Sequence, residues 1–440
     1  MRKFFIDCFL ATLFVFVTLG AIVKITDMKI FSAFDPLGQA LGDMELTDIA
    51  FSQLRDDPSI DTNIVIVNIG KLPRRGVAEQ IRILNKYKPK VIGMDSYFNC
   101  PLGLRDTINC PPMADVMGNV MLANSIAEAE NFVLVTRVTQ TDSLFNTGIV
   151  DMYDSLERTD EDIRGDSYEG YANLPTDADN QESFKACRTF IPRLKVGEDT
   201  LNAFSLEVAR IYAPEKVKRF LSRGNEEEVI NYRGNILDIY GASSFAGRYF
   251  ALDWYQVLNE EFLPSLITDK IVMMGYMGDD FSDTTWDDKF FTPLNKQYAG
   301  KANPDMYGLV VHANIISMIL AEDYIDVMAK WQEWAFAIII CFLNVALFWV
   351  IHHRIPDWFD GITVMLQLIQ IILLSFLMIY FFNWYDFKLS LTISLAALAL
   401  VGTCFEIYVG VVVKTYETIR NSKWFTKRKE GVLTTEISEE

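Results

Sequence analysis

The chain has 440 residues, with 40 Lys and Arg against 58 Asp and Glu, and its formal net charge is −18. A protein surface this acidic repels phosphate groups, so the composition argues against a nucleic-acid-binding protein. The length allows one large domain with its own hydrophobic core beside other segments, and the sequence contains no internal repeat.

Four apolar segments predict membrane-spanning helices. Each is close to the ~20 residues that a helix needs to cross a bilayer. They cover residues 4–23, 335–351, 361–382 and 389–413. We therefore predict one transmembrane helix before, and three after, a large intervening domain. The division is 1–24 for the N-terminus and first helix, 25–330 for the domain, 331–413 for helices two to four, and 414–440 for a short tail.

Basic residues predict the orientation of these helices. Arg2 and Lys3 precede the first segment, Arg354 lies between the second and third, and Lys414 opens a basic stretch after the fourth. Because basic residues favour the cytoplasmic side, we expect both termini in the cytoplasm and the large domain in the periplasm of a bacterial inner membrane. Gly20 lies in a weak cleavage site, but an uncleaved anchor fits the first segment better than a signal peptide.

Strand-like and helix-like patterns alternate in the large domain. The apolar strands are followed by turn residues, and two helical patterns cover residues 77–87 and 114–130. The predicted strands are 64–69, 91–95, 132–135, 229–232 and 271–275. This alternation predicts an α/β domain with a mostly parallel sheet flanked by helices. Residues 139–183, rich in Asp, Thr, Ser and Gly, are expected to form an acidic insertion or long loop.

The six cysteines fall into two groups. Cys8, Cys341 and Cys404 lie in apolar segments, where we interpret them as small hydrophobic residues. Cys100 and Cys110 bracket a short loop in the domain, so an oxidising compartment would favour a disulfide between them. Cys187 remains as the third cysteine outside the membrane, and three cysteines leave the pairing open.

A group of polar residues follows the predicted strands. Asp95 ends one strand, several aspartates follow another, and His312 is the one histidine of the large domain, near the start of an amphipathic helix. In a parallel sheet these side chains would meet at one edge, where ligands tend to bind. The candidate ligand-binding residues are Asp95, Asp287, Asp288, Thr292, His312 and Asn314. Alternatively, they cap helices and satisfy loop backbone groups.

Other kinds of site are not predicted. The domain has too few histidines for a multi-histidine zinc site, and it has no paired-cysteine metal motif, phosphate-binding glycine loop or nucleophile elbow. We therefore predict no metal, no cofactor and no catalytic residue.

Several stretches resemble the type-two CHASE domain, the extracytoplasmic sensory module associated with bacterial cyclases and histidine kinases. They occur in the order of that family, over about residues 30–415. The main ones are residues 48–55, 89–98, 230–234, 269–275, 288–294 and 308–314. The chain departs from the family at residues 68–70, where acidic residues are usual, and at residues 72–75. The resemblance implies a membrane-bound sensor.

The leading hypothesis is a receptor-like protein whose outer domain binds an unknown ligand or protein and signals through a separate cytoplasmic partner. The 26 residues after Lys414 cannot hold the kinase or cyclase usual in the family, so we do not expect an enzyme. One alternative is a structural or scaffold subunit of a bacterial envelope complex, and another is an extracytoplasmic hydrolase that uses His312 and the aspartates. The bilayer is an expected partner, nucleic acid is not, and a homodimer is compatible with sensing.

Overall fold

The chain divides into two compact units. The computed structural model describes residues 2–26, 45–56, 59–99, 115–150, 152–176, 186–196, 199–236, 247–295 and 303–421. One unit, Ala40–Asp326, is called the sheet unit here. The other combines Met1–Gln39 with Val327–Glu440 and is called the helical unit.

Apolar helices build the helical unit. The first covers Arg2–Thr26, the second Lys330–Arg354, the third Phe359–Tyr385 and the fourth Thr392–Ile407. The fourth continues through a π-helical stretch, Tyr408–Val413, into a last helix, Lys414–Asn421. Among the described residues, four helices are long and apolar enough to cross a membrane. The predicted number and positions of spanning helices are therefore confirmed by length and composition.

Cysteines and polar side chains contribute to packing between these helices. Cys8, Cys341 and Cys404 are buried free thiols in one apolar cluster, as the sequence predicts. The Gln367 side-chain amide donates a hydrogen bond to the Leu398 carbonyl at 2.6 Å. Such a bond satisfies a polar group that would otherwise lie unpaired in an apolar layer.

A mixed sheet of eight strands forms the centre of the sheet unit. In chain order its strands are β1 (Asp61–Asn68), β2 (Val91–Asp95), β3 (Phe132–Thr139), β4 (Ser155–Glu157), β5 (Tyr168–Tyr171), β6 (Asn235–Ile236), β7 (Gly247–Leu252) and β8 (Ile271–Gly275). Their order across the sheet is β6-β7-β1-β8-β2-β3-β4, and β5 also pairs with β3. Every pairing is parallel except that of β3 with β4. The predicted α/β class with a mostly parallel sheet is thus confirmed.

Helices cover both faces of this sheet. They are α1 (Arg74–Lys86), α2 (Val116–Ala127), α3 (Phe204–Tyr212), α4 (Pro214–Leu221), α5 (Trp254–Leu258) and α6 (Gly308–Ala321). Side chains of α1 and α2 pack in one core with Ile92 and Met94 of β2. Gly93 faces Phe204 and Val208 of α3 instead. Since successive strand residues point to opposite faces, α3 lies on the other side of the sheet.

Short elements complete the sheet unit. A helix, Leu46–Ile49, runs into a π-helical turn, Ala50–Leu54. The other short helices are Asp142–Phe145, Glu161–Arg164 and the 3-10 turn Pro264–Leu266. Three short antiparallel strand pairs are also present among the described residues. Two residues pair on each strand in Thr189–Phe190 with Glu228–Val229 and in Lys289–Phe290 with Met306–Tyr307, and four residues pair in Arg193–Val196 with Asp199–Asn202.

Three sequence expectations need correction or extension. The predicted strand 229–232 is only a two-residue strand, Glu228–Val229, and the backbone of residues 233–234 bonds the Asn314 side chain instead of a neighbouring strand. Helix α6 begins at Gly308 rather than near His312, and it is buried on all sides rather than amphipathic. The predicted loop region 139–183 contributes β4 and β5 to the sheet.

Gly170 lets β5 lie directly against the start of α3. A Cβ atom at this position would come within 2.6 Å of the Phe204 Cα atom, which is backbone and cannot rotate away. We expect Gly170→Ala to reduce the free energy of unfolding of the full chain by roughly 1–3 kcal/mol, through overpacking. The melting midpoint in detergent, followed by circular dichroism, measures the loss.

The matched control is Asp166→Ala, in the exposed loop before β5. Its effect should stay within about 0.5 kcal/mol, as is usual for surface substitutions. If Gly170→Ala melts at the same temperature as the original chain, β5 and α3 do not pack as closely as described.

Candidate functional site

The carboxyl ends of three central strands meet at one edge of the sheet. β1 ends at Asn68, β8 at Gly275 and β2 at Asp95, and the register places Asn68 beside Gly275 and Gly275 beside Asp95. A Cβ atom on Gly275 would lie 3.2 Å from the Asp95 Cβ atom. Glycine at the end of β8 therefore leaves room for the Asp95 side chain at this edge.

The Asn68 side chain fixes the loop that follows β8. Its Nδ2 group donates to the Asp253 carboxylate at 3.0 Å and to the Gly278 carbonyl at 3.2 Å. Its Oδ1 atom accepts the N–H groups of Gly70 and Met277, both at 2.9 Å. Asn68 is fully buried, so these bonds form in a setting where an unpaired amide would be costly. They hold together the segments after β1, β7 and β8.

Aspartates of the same loop bind its own backbone. The Asp283 carboxylate accepts N–H bonds from Asp279 at 3.0 Å and Thr285 at 2.8 Å, and these lower the pKa of Asp283 to about 2. Asp280 accepts the Ser282 N–H. For these residues the structure supports the alternative interpretation, in which acidic side chains satisfy loop backbone groups.

A cavity of about 540 Å³ opens beside this edge, and we call it the edge cavity. Its wall includes Asp95, Asp288 and His312, three of the six residues that the sequence predicts to bind a ligand. The volume falls in the range of about 300–1000 Å³ that is usual for small-molecule sites. Parallel strands and the loop after β8 thus bring residues from distant parts of the sequence to one hollow.

Two carboxyl groups in the wall of the edge cavity are close enough to interact. Burial, and then the neighbouring Asp288 carboxylate, raise the pKa of Asp95 well above its ordinary value. Asp288 lies at the exposed rim, but protein atoms crowd its carboxylate, and this loss of solvent raises its pKa to about 6. Both shifts indicate charge that nearby positive groups do not balance.

His312 lies deep in the wall of the edge cavity. Its Nε2 atom is 3.1 Å from the Ala172 carbonyl, and since a carbonyl only accepts, Nε2 carries the proton. The Nδ1 atom is buried and has no hydrogen-bond partner among the described residues. Burial lowers the pKa of His312 to about 4, so the ring is neutral at ordinary pH.

The other three predicted residues lie outside the wall of the edge cavity. Thr292 donates from its N–H and its hydroxyl to Asp305, at 2.8 and 2.5 Å. The Asn314 side chain bonds the backbone of residues 233–234, and Asp287 is exposed. The structure therefore joins Asp95, Asp288 and His312, and it gives Thr292 and Asn314 partners within the fold.

The sequence profile of the CHASE2 domain matches residues 26–348, which is most of the chain. The chain belongs to the CHASE2 domain family. This family consists of sensory, non-catalytic domains. No curated protein and no solved structure shows a significant match. Family membership confirms the predicted resemblance and supports a sensory role for the sheet unit.

The CHASE2 domain also contains cavity residues that sequence reasoning missed. Tyr97 stands two residues after Asp95, so its place at a strand end was a usable signal. Arg137 donates to the Tyr97 hydroxyl at 3.0 Å and lies 3.8 Å from the Glu157 carboxylate. Tyr153 comes from the acidic region 139–183. The lack of hydrophobic periodicity there concealed its contribution.

The cysteines of this CHASE2 domain lie partly inside and partly outside the described residues. Cys100 and Cys110 lie outside the described residues, so their disulfide stays a prediction. Cys187 is buried, and its Sγ atom lies 3.8 Å from the Thr189 carbonyl oxygen. In the described ranges, no group of three or more His, Cys, Asp or Glu side chains could hold a metal ion.

We expect Asn68→Asp to destabilise the CHASE2 domain by roughly 2 kcal/mol at pH 8. The change replaces a donor with a carboxylate that faces Asp253, whose pKa is already raised by burial. A pair of facing acids has folded-state pKa values above the unfolded ones, so its stability cost grows as pH rises. Melting midpoints of the full chain at pH 5 and pH 8 should show the larger loss at pH 8.

Adding Asp253→Asn to the same chain supplies the control. It restores a donor opposite the new carboxylate, so the double variant should recover part of the stability that each single variant loses. Simple addition of the two losses, with no pH dependence, would show that these side chains do not interact as described.

Proposed function

We propose that this chain is a membrane receptor. Its CHASE2 domain lies outside the cytoplasm, binds a small molecule in the edge cavity and signals through a separate cytoplasmic protein. The cavity carries the proposal, because it joins two unbalanced carboxyl groups and a buried imidazole in a hollow of small-molecule size. Buried polar groups without partners are rare unless something else binds them.

Two further observations support a membrane receptor. The family is one of sensory domains, and the four apolar helices provide a membrane anchor. Arg354 lies at the end of the second apolar helix and Lys414 beyond the fourth, which favours the cytoplasm for both positions. With that orientation, the domain between the first and second helices is on the outer side.

The His312 environment favours binding over hydrolysis. A catalytic histidine accepts a proton from a nucleophile and is oriented by a carboxylate on its other nitrogen. His312 instead donates from Nε2 to a backbone carbonyl, and its low pKa makes it a weak base at neutral pH. The environment therefore suits a neutral hydrogen-bonding group in a binding site.

A second candidate function is a scaffold subunit of an envelope complex. One observation favours it: helix α2 exposes the neighbouring apolar residues Val116, Met117, Val120 and Met121. Adjacent exposed apolar side chains on one helix are typical of a surface that contacts another protein. This surface is separate from the edge cavity, so experiments on the two can be kept apart.

We expect Ser96→Trp to abolish ligand binding while leaving the fold intact. Ser96 lines the edge cavity and is half-buried, and an indole there would occupy the hollow. A library of small metabolites, tested on the full chain in lipid nanodiscs, should contain compounds that raise its melting midpoint. At ten times its dissociation constant a ligand stabilises by about 1.4 kcal/mol, and Ser96→Trp should remove this gain.

Asp166→Trp adds the same side chain on an exposed loop and should keep the gain. A ligand that stabilises Ser96→Trp equally well would place its site elsewhere. If the library contains no ligand and the chain purifies in a stoichiometric complex from mild detergent, the scaffold function is favoured and the receptor function fails.

The orientation can be tested with single cysteines. In a Cys100→Ser, Cys110→Ser background, a membrane-impermeant maleimide should label Asp166→Cys in intact spheroplasts. The same reagent should label Asp357→Cys, between the second and third apolar helices, only after the membrane is permeabilised. The other four cysteines are buried, so they should give little background. The opposite labelling pattern would contradict an outer CHASE2 domain.

A further inference from the structure

We propose that the edge cavity recognises a small organic amine, whose ammonium group binds between the side chains of Asp95 and Asp288. The inference rests on the proposed function, because it names the class of ligand for the same cavity. Four features of the wall support it: two carboxyls that lack a cation, a free imidazole nitrogen, aromatic rings and an arginine that is already paired.

The two carboxyls lack a positive partner. Among the described residues, no lysine or arginine pairs with Asp95 or Asp288, and no hydrogen-bond donor offsets the effect of burial on either side chain. The charge that acts on Asp95 is the like charge of Asp288. A cation placed between them would remove this repulsion, so binding of a positive group is favoured over binding of an anion.

His312 adds a neutral acceptor to the same wall. Its Nε2 proton is held by the Ala172 carbonyl, so Nδ1 presents a lone pair. The residue is only 2% exposed and this nitrogen has no partner among the described residues. Because the ring is neutral it does not repel a cation.

The rings in the wall favour an organic cation over a metal ion. Tyr97, Tyr153, Tyr276 and Phe290 line the cavity, and aromatic faces attract ammonium groups. A divalent metal would need several oxygen or nitrogen ligands at short range. The described residues provide no such group of three or more acidic, histidine or cysteine side chains.

Arg137 does not offset the negative charge of the cavity. Its guanidinium donates to the Tyr97 hydroxyl at 3.0 Å and lies 3.8 Å from the Glu157 carboxylate, which balances its charge. The remaining charge in the wall is therefore that of Asp95 and Asp288. A simple amine fits this balance better than a carboxylate-bearing ligand does.

The affinity should depend on pH. The titratable or charged side chains that face the cavity are Asp95, Tyr97, Arg137, Tyr153, Tyr276, Asp288 and His312. At pH 8 the Asp288 carboxyl is ionised and can pair with a cation, whereas below about pH 6 it is mostly protonated. Binding of an amine should therefore weaken as pH falls from 8 to 5.

The experiment compares amines with alcohols of the same shape. The full chain in lipid nanodiscs is titrated calorimetrically at pH 8 with ethanolamine, butylamine, benzylamine and tyramine. Each is paired with the compound in which a hydroxyl replaces the amino group: ethylene glycol, butanol, benzyl alcohol and tyrosol. We expect at least one amine to bind at least tenfold more tightly than its partner, with an affinity that falls at pH 5.

Matched variants locate the binding group. Asp288→Asn and Asp95→Asn should each weaken amine binding at least tenfold. Asp287→Asn removes the same charge from the exposed neighbouring residue outside the wall, so it should leave affinity unchanged. Without ligand, Asp288→Asn should melt at a higher temperature than the original chain at pH 8. This advantage should disappear near pH 4, since a raised folded-state pKa makes ionisation costly to the fold.

The outcomes separate this inference from the proposed function. Suppose that no amine binds but a neutral or anionic metabolite does, and that Ser96→Trp blocks its binding. The proposed receptor function then stands, and the proposal of an amine ligand is wrong. If no compound binds the cavity at all, both fail. The proposal of an amine ligand would also be contradicted if an amine and its alcohol bound with equal affinity. The same holds if Asp287→Asn weakened amine binding as much as Asp288→Asn.

Discussion

One buried amide, the side chain of Asn68, holds the carboxyl edge of the sheet in place. It bonds Asp253 after β7, Gly278 after β8 and the N–H groups of Gly70 and Met277. The acidic loop after β8 carries five aspartates, whose mutual repulsion works against one fixed path. Asn68 is neutral, and its hydrogen bonds anchor the start of this loop, which ends at Asp288 in the cavity wall.

The same edge contains unfavourable electrostatics, and the apolar sheet offsets this cost. β1 and β8 bury Val65, Ile66, Val272 and Met273 almost completely, and each such side chain stabilises the fold by about 1.5–3 kcal/mol relative to exposure. Against this, the Asp95 carboxyl and the His312 Nδ1 atom are desolvated without compensation. Proteins often tolerate such a local loss of stability at functional sites, because the rest of the core keeps the fold stable.

The sequence was sufficient for the central strands and insufficient for most of the cavity. β2 and β8 match their predicted bounds, because a continuous apolar run ended by a turn residue marks a strand buried on both faces. β7 was missed, since its first residues, Gly247 and Arg248, interrupt the apolar pattern. Thr292 and Asn314 have side chains that could bind a ligand. In the fold, however, Thr292 bonds Asp305 and Asn314 bonds residues 233–234, and these tertiary contacts are not evident from spacing along the chain.

Helix α6 runs from the edge cavity to the segment that precedes the second apolar helix. Its first turns, at Gly308 and His312, form part of the cavity wall, and its 14 residues extend about 20 Å from there. At the far end, Lys216 holds the Leu320 carbonyl and Arg219 pairs with Glu322. Residues 322–329 then lead directly to the second apolar helix, Lys330–Arg354. The residues that line the hollow and the residues that precede the second apolar helix therefore lie at opposite ends of one stiff helix.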